Sequence, residues 1–255
     1  MRRYFRLVLA ALMAIFFLAT ASAVNAAVSQ GYPLQSIEVD IHNRNTLQRG
    51  AKYFVNYCLS CHSSRYARYQ WVGRDLGLTE EMVKRDFIFT DSKVGDLMVV
   101  SMPSEGARNW FGAVPPDLTL VSRARGKDWL YTYLKAFYLD DTRPMGVNNA
   151  IFQHVAMPHV MWDLQGWQKP IYKTITDENG NERQIIADFE LVQPGTLSPE
   201  EYDRVVRDIV TFLSYLAEPA KLERQSVGIW VVLFLLGLLA VVYLLKQEYW
   251  KDVKK

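Results

Sequence analysis

Cysteine is scarce in this 255-residue chain: there are two, too few for a disulfide scaffold. Histidine is nearly as scarce, with four in all. An excess of one charge is missing as well. The 29 Lys+Arg stand against 27 Asp+Glu, a formal charge of +2, which gives no reason to expect nucleic acid as a partner. No internal repeat or low-complexity tract is visible. Apolar residues are not lacking: at 50% hydrophobic, 13% aromatic and 22% charged, the chain has ample surface to offset the entropy of ordering and is not a disordered one. Its length allows one large domain or two small ones.

The apolar residues are unevenly placed. Residues 1–26 have the form of an export signal: Arg2, Arg3 and Arg6 lead, Leu7 to Leu18 is almost wholly apolar, and Val24-Asn25-Ala26 offers a cleavage site near Ala26. A retained anchor and, from the Arg2-Arg3 pair, a twin-arginine export route are the alternatives. Residues 226–245 (SVGIWVVLFLLGLLAVVYLL) carry no charge. At ~1.5 Å per residue they reach about 30 Å, the thickness of a bilayer core. Trp230 and Tyr243 fall near the ends, where amphipathic rings favour the headgroup region. Lys246, Lys251, Lys254 and Lys255 follow in the tail 246–255, so the positive-inside bias places the C-terminus in the cytoplasm. Residues 27–225 then lie outside the inner membrane. Without Arg2, Arg3, Arg6 and the four tail lysines the 29 bases fall to 22; without Glu248 and Asp252 the 27 acids fall to 25, so this exported part is mildly acidic.

Within it, Asn45 is expected to cap a helix from Thr46 to Tyr57 with Leu47, Ala51, Phe54 and Val55 on one face. A second helix is expected over Lys127 to Tyr138, with Trp129, Leu130, Tyr133 and Leu134 inward. Ile171 to Ile175 and Arg183 to Val192 read as strands, and the Asn179-Gly180 pair between them signals a hairpin. Ser198-Pro199-Glu200-Glu201 opens a helix with a capping box and Pro in its first turn; Val205, Val206, Ile209, Phe212, Leu213 and Leu216 form its apolar face, and Pro219 ends it. The expected fold is one mainly α domain with a small β-hairpin, tied to the lipid bilayer by a single transmembrane helix.

Both cysteines lie in Cys58-Leu59-Ser60-Cys61-His62, and CxxCH is the attachment signature of a c-type heme. Two thiols a turn apart can add to the two vinyl groups of one porphyrin, which fixes the following His beneath the iron. A redox dithiol would open a helix in a βαβ setting rather than end one. Zinc would need more ligands than His42, His154 and His159 supply. A plain disulfide is the third alternative. For the second axial ligand, Met157 stands out because Pro158 stiffens the stretch that follows it; Met145, Met161, His154 and His159 stay open. Ala113 to Thr119 is a proline-stiffened loop ahead of Arg123-Ala124-Arg125, a basic run that suits a buried propionate or simply a solvated surface.

Taken together, the chain resembles the cytochrome c1 family in a bacterial form, the heme subunits of the ubiquinol:cytochrome c oxidoreductase (the cytochrome bc complex). The resemblance rests on Cys58 to Ser63, Pro115-Pro116-Asp117-Leu118 with Arg123-Ala124-Arg125, Ala156-Met157-Pro158, and Asp208 to Leu213 leading through Ala217-Glu218-Pro219 to the anchor. It implies one covalent heme c on Cys58 and Cys61, with His62 and Met157 as iron ligands. It also implies Arg125 paired with a propionate, Trp129 beside it, and Pro116 lining the pocket on the His62 side. The stretch Tyr66 to Ser104 lacks the acidic insertion of mitochondrial relatives, so a strongly acidic docking patch is not carried over.

The function so implied is one-electron transfer from the Rieske iron–sulfur protein to a cytochrome c, beside cytochrome b in a dimeric complex. The heme domain would be periplasmic, and the chain itself would make and break no substrate bond. A free membrane-tethered cytochrome c is the main rival, though it would normally carry a flexible linker before its anchor. A heme sensor or peroxidase would need an exchangeable sixth site.

Overall fold

Helix α1 (Arg44–Tyr57) forms because its apolar residues recur every three to four positions, so Leu47, Ala51, Phe54 and Val55 are buried together. Its N-cap is Asn43, not Asn45: the Asn43 side chain accepts the Thr46 N–H at 3.2 Å, and a turn bond from Asn43 N to Asp40 O fixes the entry. The helix therefore starts a little earlier than the sequence suggests, on the same apolar face. The computed structural model describes residues 32–100, 102–176 and 181–252. The export-signal reading of residues 1–26 and the Asn179-Gly180 turn both lie outside them.

Strand β1 (Ser64–Arg68), helices α2 (Tyr69–Leu76) and α3 (Glu80–Phe87), strand β2 (Leu97–Met98), and helices α4 (Ser104–Phe111) and α5 (Val121–Arg125) follow. Helix α6 (Lys127–Lys135) is shorter than the expected run to Tyr138, because Phe137–Leu139 turns into strand β3 and pairs antiparallel with β4 (Val147–Asn149). The Gln168 amide takes the carbonyls of Lys135 and Phe137 at 2.8 and 2.6 Å, satisfying the chain where the helix breaks. After the short α7 (Trp162–Gln165), β5 (Gly166–Thr176) and β6 (Glu182–Pro194) pair as a long antiparallel hairpin, longer at both ends than the sequence suggests.

Helix α8 (Pro199–Ala217) is the spine. Its Ser198–Glu201 capping box is present in both directions and Pro199 sits in the first turn. One face packs on α1 at Gly50, where a Cβ would stand 2.1 Å from the Asp208 carbonyl oxygen, so only glycine lets the two helices approach this closely. Phe54 and Phe212 meet at 5.3 Å beside that crossing, and Arg49 forks onto Asp208 at 2.6 and 3.0 Å. The other side of α8 receives α5 and α6 through Ser214 with Ser122 (2.9 Å), and through Tyr202, whose hydroxyl donates to Leu134 O at 2.8 Å. The main apolar core lies between these helices.

Three residues separate the end of α8 from helix α9 (Lys221–Tyr249). Its segment Ser226–Tyr249 is long and apolar enough to cross a membrane, and its Leu, Val, Ile, Phe and Trp side chains stand exposed. Such a surface is stable only in lipid or against another apolar chain. The chain is membrane-anchored.

Candidate heme site

The α1–α8 crossing sets where α1 ends, and α1 ends at the two thiols. Cys58 is its C-cap; Cys61 N and His62 N both bond back to Cys58 O, at 3.1 and 2.9 Å, which curls the five-residue motif into one turn. The two cysteines are not joined in a disulfide. Cys58 is buried, and burial pushes its thiol up to about 12 because a thiolate would lose its hydration.

His62 is oriented from the second side of the site. Its Nδ1 lies 2.7 Å from Pro116 O, and since a carbonyl can only accept, Nδ1 carries the hydrogen and Nε2 keeps its lone pair. Burial lowers the His62 pKa, against a smaller upward pull from the Pro116 bond and Asp117. The Pro116 segment is itself pinned to β1: Asp117 accepts the N–H groups of Arg65 and Thr119 at 2.8 and 2.9 Å, and Leu118 N donates to Ser63 O at 2.8 Å.

Met157 comes from a strap between β4 and α7 that is held by two adjacent asparagines. Asn148 Oδ1 accepts from His154 N at 2.9 Å; Asn149 Oδ1 accepts from Ile151 N at 3.1 Å, while its amide donates to Tyr133 O at 2.8 Å. These bonds support His154 at φ 59°, a left-handed conformation uncommon outside glycine. The Met157 sulfur accepts the Tyr133 hydroxyl at 3.4 Å. Burial pushes the Tyr133 phenol far above its ordinary range, so it is a donor at any pH the protein meets.

All seven residues singled out from the sequence (Cys58, Cys61, His62, Pro116, Arg125, Trp129 and Met157) line one cavity with almost wholly apolar walls. Leu130, Leu134, Val155, Ile209 and Leu213 are among the others. The alternative axial residues lie elsewhere. Met161 is 2% exposed in the main core, and Met145 packs against Phe137, Val147 and Val155. His159 is stacked on Phe137 at 5.1 Å and pushed down to about 4 by burial, and His154 faces Arg143 at 3.1 Å. Arg125 is exposed and makes no ion pair among the described residues; its guanidinium lies 5.1 Å from the Trp129 ring and 6.0 Å from that of Phe152. It is a cation at the rim of an apolar slot.

This donor set fits a c-type heme: two thiols a turn apart, an imidazole with one nitrogen tied back and one free, a thioether, apolar walls, and a cation for a propionate. Sequence reasoning passed over Tyr133, which it took as core filler, and Asn148 and Asn149. The signal for the pair was present: two amides inside an otherwise apolar stretch must bond to something.

Residues 35–167 and 187–253 match the Cytochrome C1 family. Cytochrome c1 of Allochromatium vinosum is 50% identical over 242 residues, covering 95% of this chain and 98% of that protein. The ammonia monooxygenase gamma subunit of Nitrosomonas europaea is 46% identical over 224 residues, 88% of this chain and 90% of its own length. Cytochrome c1 of Rhodospirillum rubrum is 25% identical over 243 residues, 84% of each. The distal part of the β5–β6 hairpin, residues 168–186, falls between the two matched segments.

Proposed function

The chain belongs to the Cytochrome C1 family, heme subunits of the cytochrome bc1 complex that carry covalent heme c, and we propose that it relays single electrons from a Rieske iron–sulfur protein to a cytochrome c. When bound, the heme supplies the one-electron iron couple. The chain's own residues do the rest. Cys58 and Cys61 would hold the porphyrin covalently, and His62, its Nδ1 tied to Pro116, and Met157 would supply the nitrogen and sulfur ligands of its iron. Leu130, Val155, Ile209 and Leu213 exclude water. Arg125, whose guanidinium lies over the Trp129 ring at the rim, would pair with a propionate.

The observation that carries this reading is the convergence of His62 and Met157, 95 positions apart in sequence, on one apolar cavity that also holds both thiols. Residues 1–26 act as a cleaved export signal and 27–225 form the periplasmic domain. Residues 226–245 cross the inner membrane and 246–255 face the cytoplasm. Cytochrome b is the neighbour of the anchor, and the complex is dimeric. The rival, a free tethered shuttle, is disfavoured by the connection between α8 and α9: only Glu218, Pro219 and Ala220 separate them, leaving no flexible linker.

Mild detergent extraction tests the assignment. The chain should purify with a cytochrome b and a Rieske protein. Recovery alone would favour the shuttle, and recovery with ammonia monooxygenase subunits would give it the role that the name of the Nitrosomonas relative states.

A further inference from the structure

We propose that Tyr133 is a positioning residue for the sixth iron ligand: its hydroxyl, by donating to the Met157 sulfur at 3.4 Å, fixes the orientation of the thioether and raises the reduction potential of the site. The inference rests on Met157 being that ligand.

The phenol cannot swing away. Its ring stacks on Trp129 at 4.8 Å and 11°, and meets Phe137 and Phe152 edge-on at 5.2 and 6.4 Å. Trp129 and Tyr133 are one helical turn apart on α6, so they share a face. The Tyr133 backbone carbonyl accepts the buried Asn149 amide at 2.8 Å, which ties the tyrosine to the same strap that carries the methionine. Within this apolar surround a phenol hydroxyl must find an acceptor, and the one it reaches among the described residues is a thioether, a weak acceptor that seldom justifies burying a hydroxyl. A leucine or phenylalanine would fill the space at lower cost. The hydroxyl therefore answers a need of the sulfur rather than of the packing.

Two consequences follow from elementary chemistry. A thioether sulfur has two lone pairs; the one that accepts the phenol hydrogen is unavailable to the metal, so the other is the one presented, and the sulfur is held in a single configuration. The hydrogen bond also places the positive end of an O–H dipole against the sulfur. That weakens its donation to oxidised iron and favours the state with the added electron, in the way hydrogen bonds around an axial ligand act as a lever on potential.

The test is a potentiometric titration of the full-length, heme-loaded protein in detergent, comparing wild type, Tyr133→Phe and Tyr131→Phe. Tyr133→Phe keeps the ring and removes only the donor. Tyr131 is on the same helix, but its hydroxyl faces Asp203, away from the cavity, so its variant controls for loss of any tyrosine hydroxyl. The long-wavelength sulfur-to-iron(III) charge-transfer band should persist in all three. The reduction equilibrium constant should fall about three- to tenfold in Tyr133→Phe alone, tenfold being about 59 mV for one electron. Loss of the band in Tyr133→Phe, with covalent heme and melting temperature kept, would show the hydroxyl seating the sulfur and supports the same proposal. Equal potentials with the band intact overturn it. A wild-type protein without the band contradicts the Met157 ligand itself, a separate failure.

Discussion

His62 Nδ1 and the Pro116 carbonyl oxygen are 2.7 Å apart, joined across 54 residues of chain. The bond decides the tautomer of the imidazole, and with it which nitrogen faces the cavity. It depends in turn on a loop held to β1 largely by one carboxylate, because Asp117 accepts one N–H from Arg65 and another from Thr119, with the Leu118 N–H on Ser63 O beside them.

Replacing Asp117 with Ala should leave both amides without their acceptor and let the Pro116 carbonyl drift. A loss of about 1–3 kcal/mol is expected in thermal or denaturant unfolding of the heme-loaded protein. Unchanged stability would mean that solvent replaces the carboxylate without cost.

The α1–α8 crossing offers a second check. In Gly50→Ala the new methyl would stand 2.1 Å from backbone at Asp208, which cannot yield as a side-chain tip can. The helices must separate, at a cost of about 1–3 kcal/mol or more. Because Cys58 is the C-cap of α1, the same shift should broaden the heme absorption bands. Circular dichroism melting and the visible spectrum read the two effects separately.

Acid should act in part through Asp140. The Thr142 hydroxyl at 2.6 Å holds its carboxyl below the ordinary range; burial opposes this, and the Asn148 amide at 2.9 Å, the Thr142 N–H and the Arg143 charge add to the lowering. A carboxylate with a depressed folded pKa contributes stability above its unfolded value, about 3.9, that is lost as pH falls through the folded value. Stability should therefore drop below about pH 4, and Asp140→Asn should flatten that part of the pH–stability curve. An equally steep curve in the variant would assign the acid sensitivity to other carboxylates.

What could be read from the sequence was whatever local chemistry decides. The Ser198–Glu201 box, the Asn179-Gly180 signal between extended runs and the uncharged stretch from Ser226 are each complete within a few residues, and helix α8, the β5–β6 pairing and the apolar anchor are all present. The heme motif was legible for the same reason, with both cysteines and the histidine in five residues. What escaped was non-local. Asn43 and Asn45 are equally good caps, and a turn bond to Asp40 chooses between them. The end of α6 depends on Gln168, more than thirty positions away. Propensity alone cannot separate Met145, Met157 and Met161. Only the strap built by Asn148 and Asn149 brings one of them to the cavity.

The most direct test is the spectrum of Met157→Leu. Leucine fills similar space and offers the iron nothing. The variant should keep its covalent heme, lose the long-wavelength sulfur-to-iron(III) band and show a substantially lower potential, since a thioether raises it. A variant whose band and potential match the wild type would place the sixth ligand elsewhere and contradict the account.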